Sequence, residues 1–302
     1  MAFVYSPGYY SSMGEHVFPV EKYRLLHEKL IQEGILRPED FLEPMPAPRE
    51  DLLLVHTEGY LRRLEKLAEA RGFLTMDTPV SPEILRHALL AAGGTELAAR
   101  KALELGLAAN LNGGFHHASA GDGEGFCYIN DIAVAARRVQ ADGRAQRVAI
   151  VDCDVHQGNG TALIFGGDPS VFTFSIHQEN NYPGIKPPST LDIGLPDRVG
   201  DGEYLRLLEG ALLRILDGFG PELVIYLAGA DPLERDMLGG LSLTHEGLRA
   251  RDELVIGEAR KRKIPLAAVL AGGYAYPASL TVLAHFNTIL TIKEHLQREE
   301  IR

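Results

Sequence analysis

Apolar runs of strand length alternate with helix-like stretches along most of the chain. Several of these runs are almost continuously apolar and end at once in Asp, His, Gly or Tyr: VAIV, VFTF, LVIYL and LAAVL. Near-continuous apolar strands are typical of a parallel sheet that is covered on both faces. Helix-like segments such as Gly202–Leu216 and Leu248–Lys261 lie between the runs. The pattern therefore predicts an α/β fold, with a three-layer, doubly wound, mainly parallel sheet flanked by helices.

Local signals place further elements. Ala2–Tyr5 is predicted to be a strand and Glu21–Glu33 a helix. Ser81 before Pro82 is an N-cap followed by proline at the first helical position, so a helix is expected to begin there. The same pattern predicts that this helix breaks at Gly93–Gly94, because glycine weakens a helix interior.

The proline-rich segments Asp40–Arg49 and Asn180–Thr190 are predicted to be loops at the rim of the fold rather than linkers. No internal repeat or low-complexity segment divides the chain. We therefore expect a single domain over residues 1–302.

Composition narrows the function classes. The 30 Lys and Arg against 41 Asp and Glu give a net charge of −11, which disfavours nonspecific binding to nucleic acid or anionic membranes. With 2 Cys the chain has no disulfide framework. The N-terminal residues lack a signal-peptide pattern, and no run of about 18 apolar residues occurs. We expect a soluble cytoplasmic protein.

Candidate metal ligands follow the buried strands. Asp152, Asp154 and His156 come after VAIV at alternate positions, which would place them on one face of an extended chain. Asp231 ends the LVIYL run, so it is expected at the same edge of the sheet. Three such ligands and one open position describe a catalytic zinc site. The alternatives are an ordinary Asp-rich turn and, because Pro232 follows, an N-cap role for Asp231.

Candidate catalytic groups lie in two glycine-rich segments. His116 and His117 are adjacent in a loop, where two imidazoles beside a metal-bound water could act as general base and general acid. Tyr274 follows Gly272–Gly273 at the end of LAAVL and could donate to an oxyanion. The alternatives are a histidine pair without a role and a tyrosine that only packs on the sheet end. Neither a dinucleotide-binding fingerprint nor a phosphate loop is present.

Together these residues resemble the zinc-dependent histone deacetylase superfamily. Within it, LGGLSLT and RDELV are most similar to the class IV branch. The blocks that carry the resemblance are YSPGY (5–9), GGFHHA (113–118), GFCYIND (125–131), VDCDVHQGNGT (151–161), FSIHQ (174–178), AGAD (228–231), DMLGGLSLT (236–244), RDELV (251–255) and LAGGY (270–274).

The resemblance implies a role for each matching residue. It makes Asp154, His156 and Asp231 the zinc ligands, His116 and His117 the tandem histidines, and Tyr274 the catalytic tyrosine. Asp152 would orient His116, and Asn159 would bond His117. Some members have Asp at the position of Asn159, so a less basic His117 is expected here.

The resemblance also implies a structural potassium site and a substrate tunnel. The potassium site would use Asp152, Asp154, His156 and Ser175. The tunnel would be lined by Gly125, Phe126, Tyr182, Leu238 and Gly272, although the loop that carries Tyr182 is shorter here than in the family. Iron could replace zinc in this ligand set.

The implied activity is hydrolysis of an acyl amide, with acyl-lysine in proteins or peptides as the leading substrate. An amidohydrolase for acetylpolyamines or other small acylated amines is the first alternative, and an acidic rim containing Glu15, Glu179 or Asp192 would favour it. A noncatalytic acyl-lysine-binding module is the second. The related ureohydrolases need a DAHxD ligand motif that the chain lacks. The sequence does not set an oligomeric state.

Overall fold

The computed structural model describes residues 2–11 and 16–300, without the side chains of 299 and 300. The strands are β1 (Phe3–Val4), β2 (Phe41–Leu42), β3 (Phe73–Thr75), β4 (Thr78–Pro79), β5 (Leu107–Asn110), β6 (Val148–Asp152), β7 (Val171–Gln178), β8 (Leu191–Leu195), β9 (Leu223–Leu227) and β10 (Leu266–Val269). The α-helices are α1 (Lys22–Gln32), α2 (Arg49–Leu52), α3 (Glu58–Glu69), α4 (Pro82–Leu105), α5 (Asp131–Ala141), α6 (Asn159–Phe165), α7 (Asp201–Leu213), α8 (His245–Lys261) and α9 (Ser279–Glu300).

The central sheet has eight strands in the described chain, in the order β2-β1-β5-β10-β9-β6-β7-β8, and all neighbours are parallel. Both faces are covered, as β9 illustrates: Val224 and Tyr226 lie in one hydrophobic cluster, while Leu223, Ile225 and Leu227 lie in the other. The first cluster includes apolar side chains of α1, α7, α8 and α9, and the second those of α4 and α5. The prediction of a doubly wound parallel sheet between helices is confirmed.

The predicted break in the long helix is wrong. α4 begins where Ser81 accepts a hydrogen bond from the Ile84 amide, and it continues unbroken through Gly93 and Gly94. A Cβ at Gly93 would overlap the carbonyl oxygen of Met45, and one at Gly94 would overlap the Tyr9 hydroxyl. The two glycines therefore permit close packing against α4 rather than ending it.

The segment Asp40–Arg49 is also more ordered than predicted, because Phe41–Leu42 pairs with β1 as the edge strand. The other proline-rich segment, Asn180–Thr190, contains no helix or strand. Two elements carried no clear sequence signal: β8, and the β3–β4 hairpin outside the main sheet. None of the described helices is long and apolar enough to cross a bilayer.

Gly93→Ala should destabilise the protein, although alanine normally improves a helix interior by up to about 1 kcal/mol. The added methyl group meets backbone rather than open space, and overpacking of this kind costs about 1–3 kcal/mol. Gly210→Ala is the matched control, because Gly210 lies within α7 with nothing near its absent Cβ. The Gly210→Ala variant should have a higher free energy of unfolding than the wild-type protein. Equal shifts in denaturant midpoint for the two variants would contradict this account of Gly93.

Candidate active site

The carboxyl ends of β6, β9 and β10 lie side by side, and this register assembles the site. Asp152 is paired with Leu227, and Leu227 with Val269, so the three strands end at the same level. The residues that follow stay connected, because the Ala228 amide donates to the carbonyl of Val269 and the Cys153 amide to that of Leu227. The polar segments that follow these strands are therefore held against one another.

Asp154, His156 and Asp231 form a buried cluster in which one ligand atom from each lies within 4.8 Å of the others. His156 Nδ1 is 3.0 Å from Asp154 Oδ1 and 3.4 Å from Asp231 Oδ2. The prediction that these side chains converge along an extended chain is wrong, because β6 ends at Asp152 and residues 154–156 form a bend. The His156 amide donates to Asp154 Oδ1 across that bend. Asp231 caps no helix, since α8 begins only at His245.

The donor set fits a divalent metal ion. Asp231 Oδ1 accepts from the Val155 amide, but its buried Oδ2 has no hydrogen-bond partner. Burial, together with the charge of Asp154, raises the pKa of Asp231, and a cation would remove that penalty. The backbone is also close, because a Cβ at Gly272 would overlap Asp231 Oδ2. Two carboxylates and an imidazole are ligands that zinc takes in catalytic sites.

His116 and His117 share a turn and both face the cluster, with 3.2 Å between their Nε2 atoms. Asp131 fixes the preceding loop by accepting from the Gly114 and Phe115 amides. Asp152 Oδ2 lies 2.7 Å from His116 Nδ1. Burial disfavours the charged form of His116, but the charges of Asp152 and then Asp154 outweigh it and raise its pKa to about 9.

His117 has the opposite preference. Burial, and then the charges of His116 and His156, hold its pKa well below the ordinary value. Its Nδ1 lies 2.7 Å from Asn159 Oδ1, and the Asn159 amide group donates to the Glu124 carboxylate. Because the amide nitrogen of Asn159 is engaged by Glu124, its oxygen accepts, which places the proton of neutral His117 on Nδ1.

Tyr274 lies over the cluster with its ring centroid 6.4 Å from that of His156. Its amide donates to Asp236 Oδ2 over 2.6 Å, and Asp236 Oδ1 accepts from the Leu238 amide. Burial, and then the charges of Asp154 and Asp231, hold the pKa of the Tyr274 phenol well above its ordinary value. The side chain therefore stays a protonated hydrogen-bond donor.

A cavity of about 570 Å³ opens above the cluster, and mostly apolar side chains line it. His117, His156 and Tyr274 line its inner part. The walls include the predicted residues Gly125, Phe126, Tyr182 and Leu238, together with Met76, Asp77, Glu124 and Asn181. The Tyr182 ring lies 4.9 Å from that of His117, so the shortened loop still reaches the site. Gly272 is deeper than expected, in a smaller inner cavity against the cluster.

The remaining sequence candidates lie around the site. Ser175 is buried next to β6, where its pairing partner is Asp152, and its hydroxyl is 2.9 Å from His177 Nδ1. Cys127 and Cys153 are free, buried and outside the ligand cluster. Of the candidate acidic rim, Glu179 and Asp192 are exposed but do not line the cavity, and Glu15 lies outside the described residues.

Sequence reasoning missed several residues of the site. Asp77 reaches the cavity on the tip of the β3–β4 hairpin, and Glu124 reaches it from the loop after the histidines. Lys22 is fully buried at the start of α1, where its Nζ donates to the carbonyl of Ala271 and lies 5.7 Å from the Tyr274 ring. A charged residue in a short hairpin or a helix start carries no local signal. Glu124 lies between the GGFHHA and GFCYIND blocks, directly before the second of them.

Comparisons with known proteins agree with this geometry. A profile of the histone deacetylase domain matches residues 16–290. The chain is 45% identical over 279 residues to an uncharacterized protein of Picosynechococcus sp., covering 90% of this chain and 91% of that protein. It is 36% identical to histone deacetylase 2 of Arabidopsis thaliana, in a match that covers 91% of this chain and 74% of that protein. The crystal structure of the HDA15 HD domain superposes with a TM-score of 0.84 at 26% identity, covering 100% of this chain and 92% of that one.

Asp152→Asn should lower the pKa of His116 well below 9, because the largest favourable charge beside the ring is lost while burial remains. A raised histidine pKa stabilises the fold below the unfolded value of about 6.5, and this contribution disappears as pH rises through about 9. The difference in unfolding free energy between wild type and variant should therefore shrink over that range. Imidazole ¹⁵N NMR of the metal-free protein measures the pKa, with Asp192→Asn as control. An unchanged His116 pKa would rule out the assigned role of Asp152.

Proposed function

The chain belongs to the histone deacetylase domain family, and from that premise we propose that it is a zinc-dependent deacetylase that hydrolyses acyl-lysine in proteins or peptides. One observation carries the proposal. The buried Asp154–His156–Asp231 cluster lies at the foot of an open, mainly apolar cavity, with His117 and Tyr274 beside it. An extended aliphatic side chain that ends in an amide matches such a cavity.

The side chains divide the chemistry between them. A divalent ion held by the cluster would polarise the acyl carbonyl and activate a water molecule. His117 is neutral, so its Nε2 can take a proton from the attacking water while its Nδ1–H continues to donate to Asn159 Oδ1. The same Nε2 then returns a proton to the leaving amine. His116 Nδ1 lies 2.7 Å from Asp152 Oδ2, and the charge of Asp152 favours the protonated form of His116 beside His117.

Tyr274 supplies the second contribution to the transition state. Its protonated hydroxyl can donate to the oxyanion that forms on the acyl carbonyl. Asp236 fixes the backbone of Tyr274 and of the Leu238 segment together, so one carboxylate sets both the donor and part of the cavity wall. This arrangement is preorganised, since none of these bonds depends on substrate.

The mainly apolar lining of the cavity favours acyl-lysine over acetylpolyamine. A polyamine site would present free acidic groups to a second ammonium. Here Asp77 accepts from the Thr75 and Thr78 hydroxyls, and Glu124 accepts from Asn159. The rest of the lining is mostly apolar, and Met76 is almost fully exposed at the rim. A noncatalytic binding module has less support, because the ligand cluster, both histidines and Tyr274 are all in place.

Three finer assignments belong to the same proposal. We propose that the chain belongs to the class IV branch, because its LGGLSLT and RDELV segments are similar to that branch. We propose a structural potassium ion near Ser175, Asp152, Asp154 and His156, and iron as an alternative to zinc. We also propose a cytoplasmic location.

A substrate matrix tests the proposal. Zinc-loaded enzyme is assayed on acetyl-lysine peptides, longer acyl-lysine peptides and acetylpolyamines, with His117→Ala as a control that should bind zinc but lose about 10²–10⁴ in kcat. We expect the highest kcat/KM on an acyl-lysine peptide. A higher value on acetylpolyamines would favour the small-amine alternative. Zinc-loaded protein that binds acetyl-lysine peptide without hydrolysis would indicate the noncatalytic module.

Tyr274→Phe should lower kcat by about 10²–10³, the usual loss for one oxyanion donor. KM should change less, because the ring and its packing against Phe126 and Phe18 remain. Steady-state kinetics on the best acyl-lysine peptide separates the two constants. If only KM rises, Tyr274 binds substrate without stabilising the transition state.

A further inference from the structure

Behind the metal cluster, a buried arginine connects the two segments that carry the ligands. Arg251 lies on α8 and is 1% exposed. Its Nη1 donates to the carbonyl of Gly229 over 2.5 Å and to that of Cys153 over 3.3 Å. Cys153 directly precedes Asp154, and Gly229 is two residues before Asp231. One guanidinium therefore contacts the backbone beneath both aspartate ligands.

The position of the guanidinium is itself fixed. Its Nε and Nη2 both donate to Asp252 Oδ1, at 3.0 and 2.9 Å. The same carboxylate accepts from the Tyr226 hydroxyl of β9 over 2.5 Å and from the Thr288 hydroxyl of α9 over 2.6 Å. Asp252 is fully buried, and these bonds come from the sheet on one side of α8 and a helix on the other. Adjacent residues of a helix do not normally face each other, so this pair is held by its surroundings.

The contact with Gly229 matters because that backbone packs directly against the ligands. A Cβ at Gly229 would lie 2.8 Å from Asp154 Cα and 2.9 Å from Asp231 Oδ1. A small shift of the Gly229 peptide would therefore move Asp231 relative to Asp154. Metal ligands depend on outer contacts of this kind for their geometry.

We propose that Arg251, fixed by Asp252, is a positioning residue that sets the spacing of the two aspartate ligands and thereby the metal affinity of the site. The inference rests on metal binding by the Asp154–His156–Asp231 cluster. The arginine acts through the backbone carbonyls of Cys153 and Gly229 and touches neither the ion nor the substrate. A lysine could not replace it, because a single ammonium cannot bond Asp252 and both carbonyls with the same fork geometry.

Zinc affinity of the metal-free 302-residue chain, measured by competition with a chelator, tests this role. Arg251→Lys keeps the positive charge but loses the planar set of N–H donors that bonds Asp252 and both carbonyls. The double variant Arg251→Met and Asp252→Asn removes both charges, so neither partner is left as an unpaired buried ion. Both proteins should bind zinc about 10- to 100-fold more weakly than wild type, as expected for an outer-shell contact.

Leu64→Ala is the control for a general loss of stability. Leu64 is 1% exposed in a separate hydrophobic cluster around α3, so its truncation should lower the melting temperature without changing zinc affinity. If the Arg251 variants bind zinc as tightly as Leu64→Ala at a similar loss of melting temperature, the positioning role is wrong. If wild-type protein itself binds no divalent metal, both this inference and the proposed metalloenzyme fail.

Discussion

The burial of two carboxylates and an imidazole at one point is the constraint on which the rest of the structure depends. Asp154 and Asp231 are 2% and 0% exposed, and their charges face each other across His156. Such a cluster is costly to bury without a cation, and backbone amides of the surrounding chain donate hydrogen bonds to its carboxylates. The amides of Val155 and Gly272 bond the two aspartates and leave Asp231 Oδ2 without a partner. Asp231 Oδ2 therefore remains a buried acceptor 3.4 Å from His156 Nδ1, where it can serve as a metal ligand.

The same parallel sheet that creates this burial also differentiates the two histidines. They are neighbours in sequence, and their Nε2 atoms are 3.2 Å apart. Yet the pKa of His116 is raised above the ordinary histidine value and that of His117 is lowered below it. His116 faces Asp152, which ends a central strand, whereas His117 faces the neutral amide of Asn159 at the start of α6. The two imidazoles therefore have opposite preferences, since His117 favours the neutral form that can accept a proton and His116 favours the protonated form. The Glu124 carboxylate accepts from the amide nitrogen of Asn159 and thereby orients the Asn159 oxygen toward His117.

Support for the site comes from the helical layer as much as from the loops. Arg251 reaches from α8 to the backbone under both aspartates, and Asp236 holds Tyr274 by its amide. Lys22 reaches the carbonyl of Ala271 from the start of α1. Each contact fixes a backbone group rather than a reacting atom, which is how a rigid scaffold limits motion at a site built from loops.

The sequence by itself determined the parallel α/β architecture, the strands that carry polar residues at their ends, and the clustered residues from Asp152 to His156, because hydrophobic periodicity and short motifs are local properties. It also suggested, through family resemblance, the tandem histidines and Tyr274. It misjudged the Gly93–Gly94 pair and the bend after β6, and although Arg251 lies in the quoted RDELV block, nothing in the sequence indicated its contacts beneath the metal ligands. Those features depend on what packs against a residue from distant parts of the chain. Only the tertiary structure brings Met45 against α4, or α8 against two strand ends, since long-range contacts leave no pattern in the neighbouring sequence.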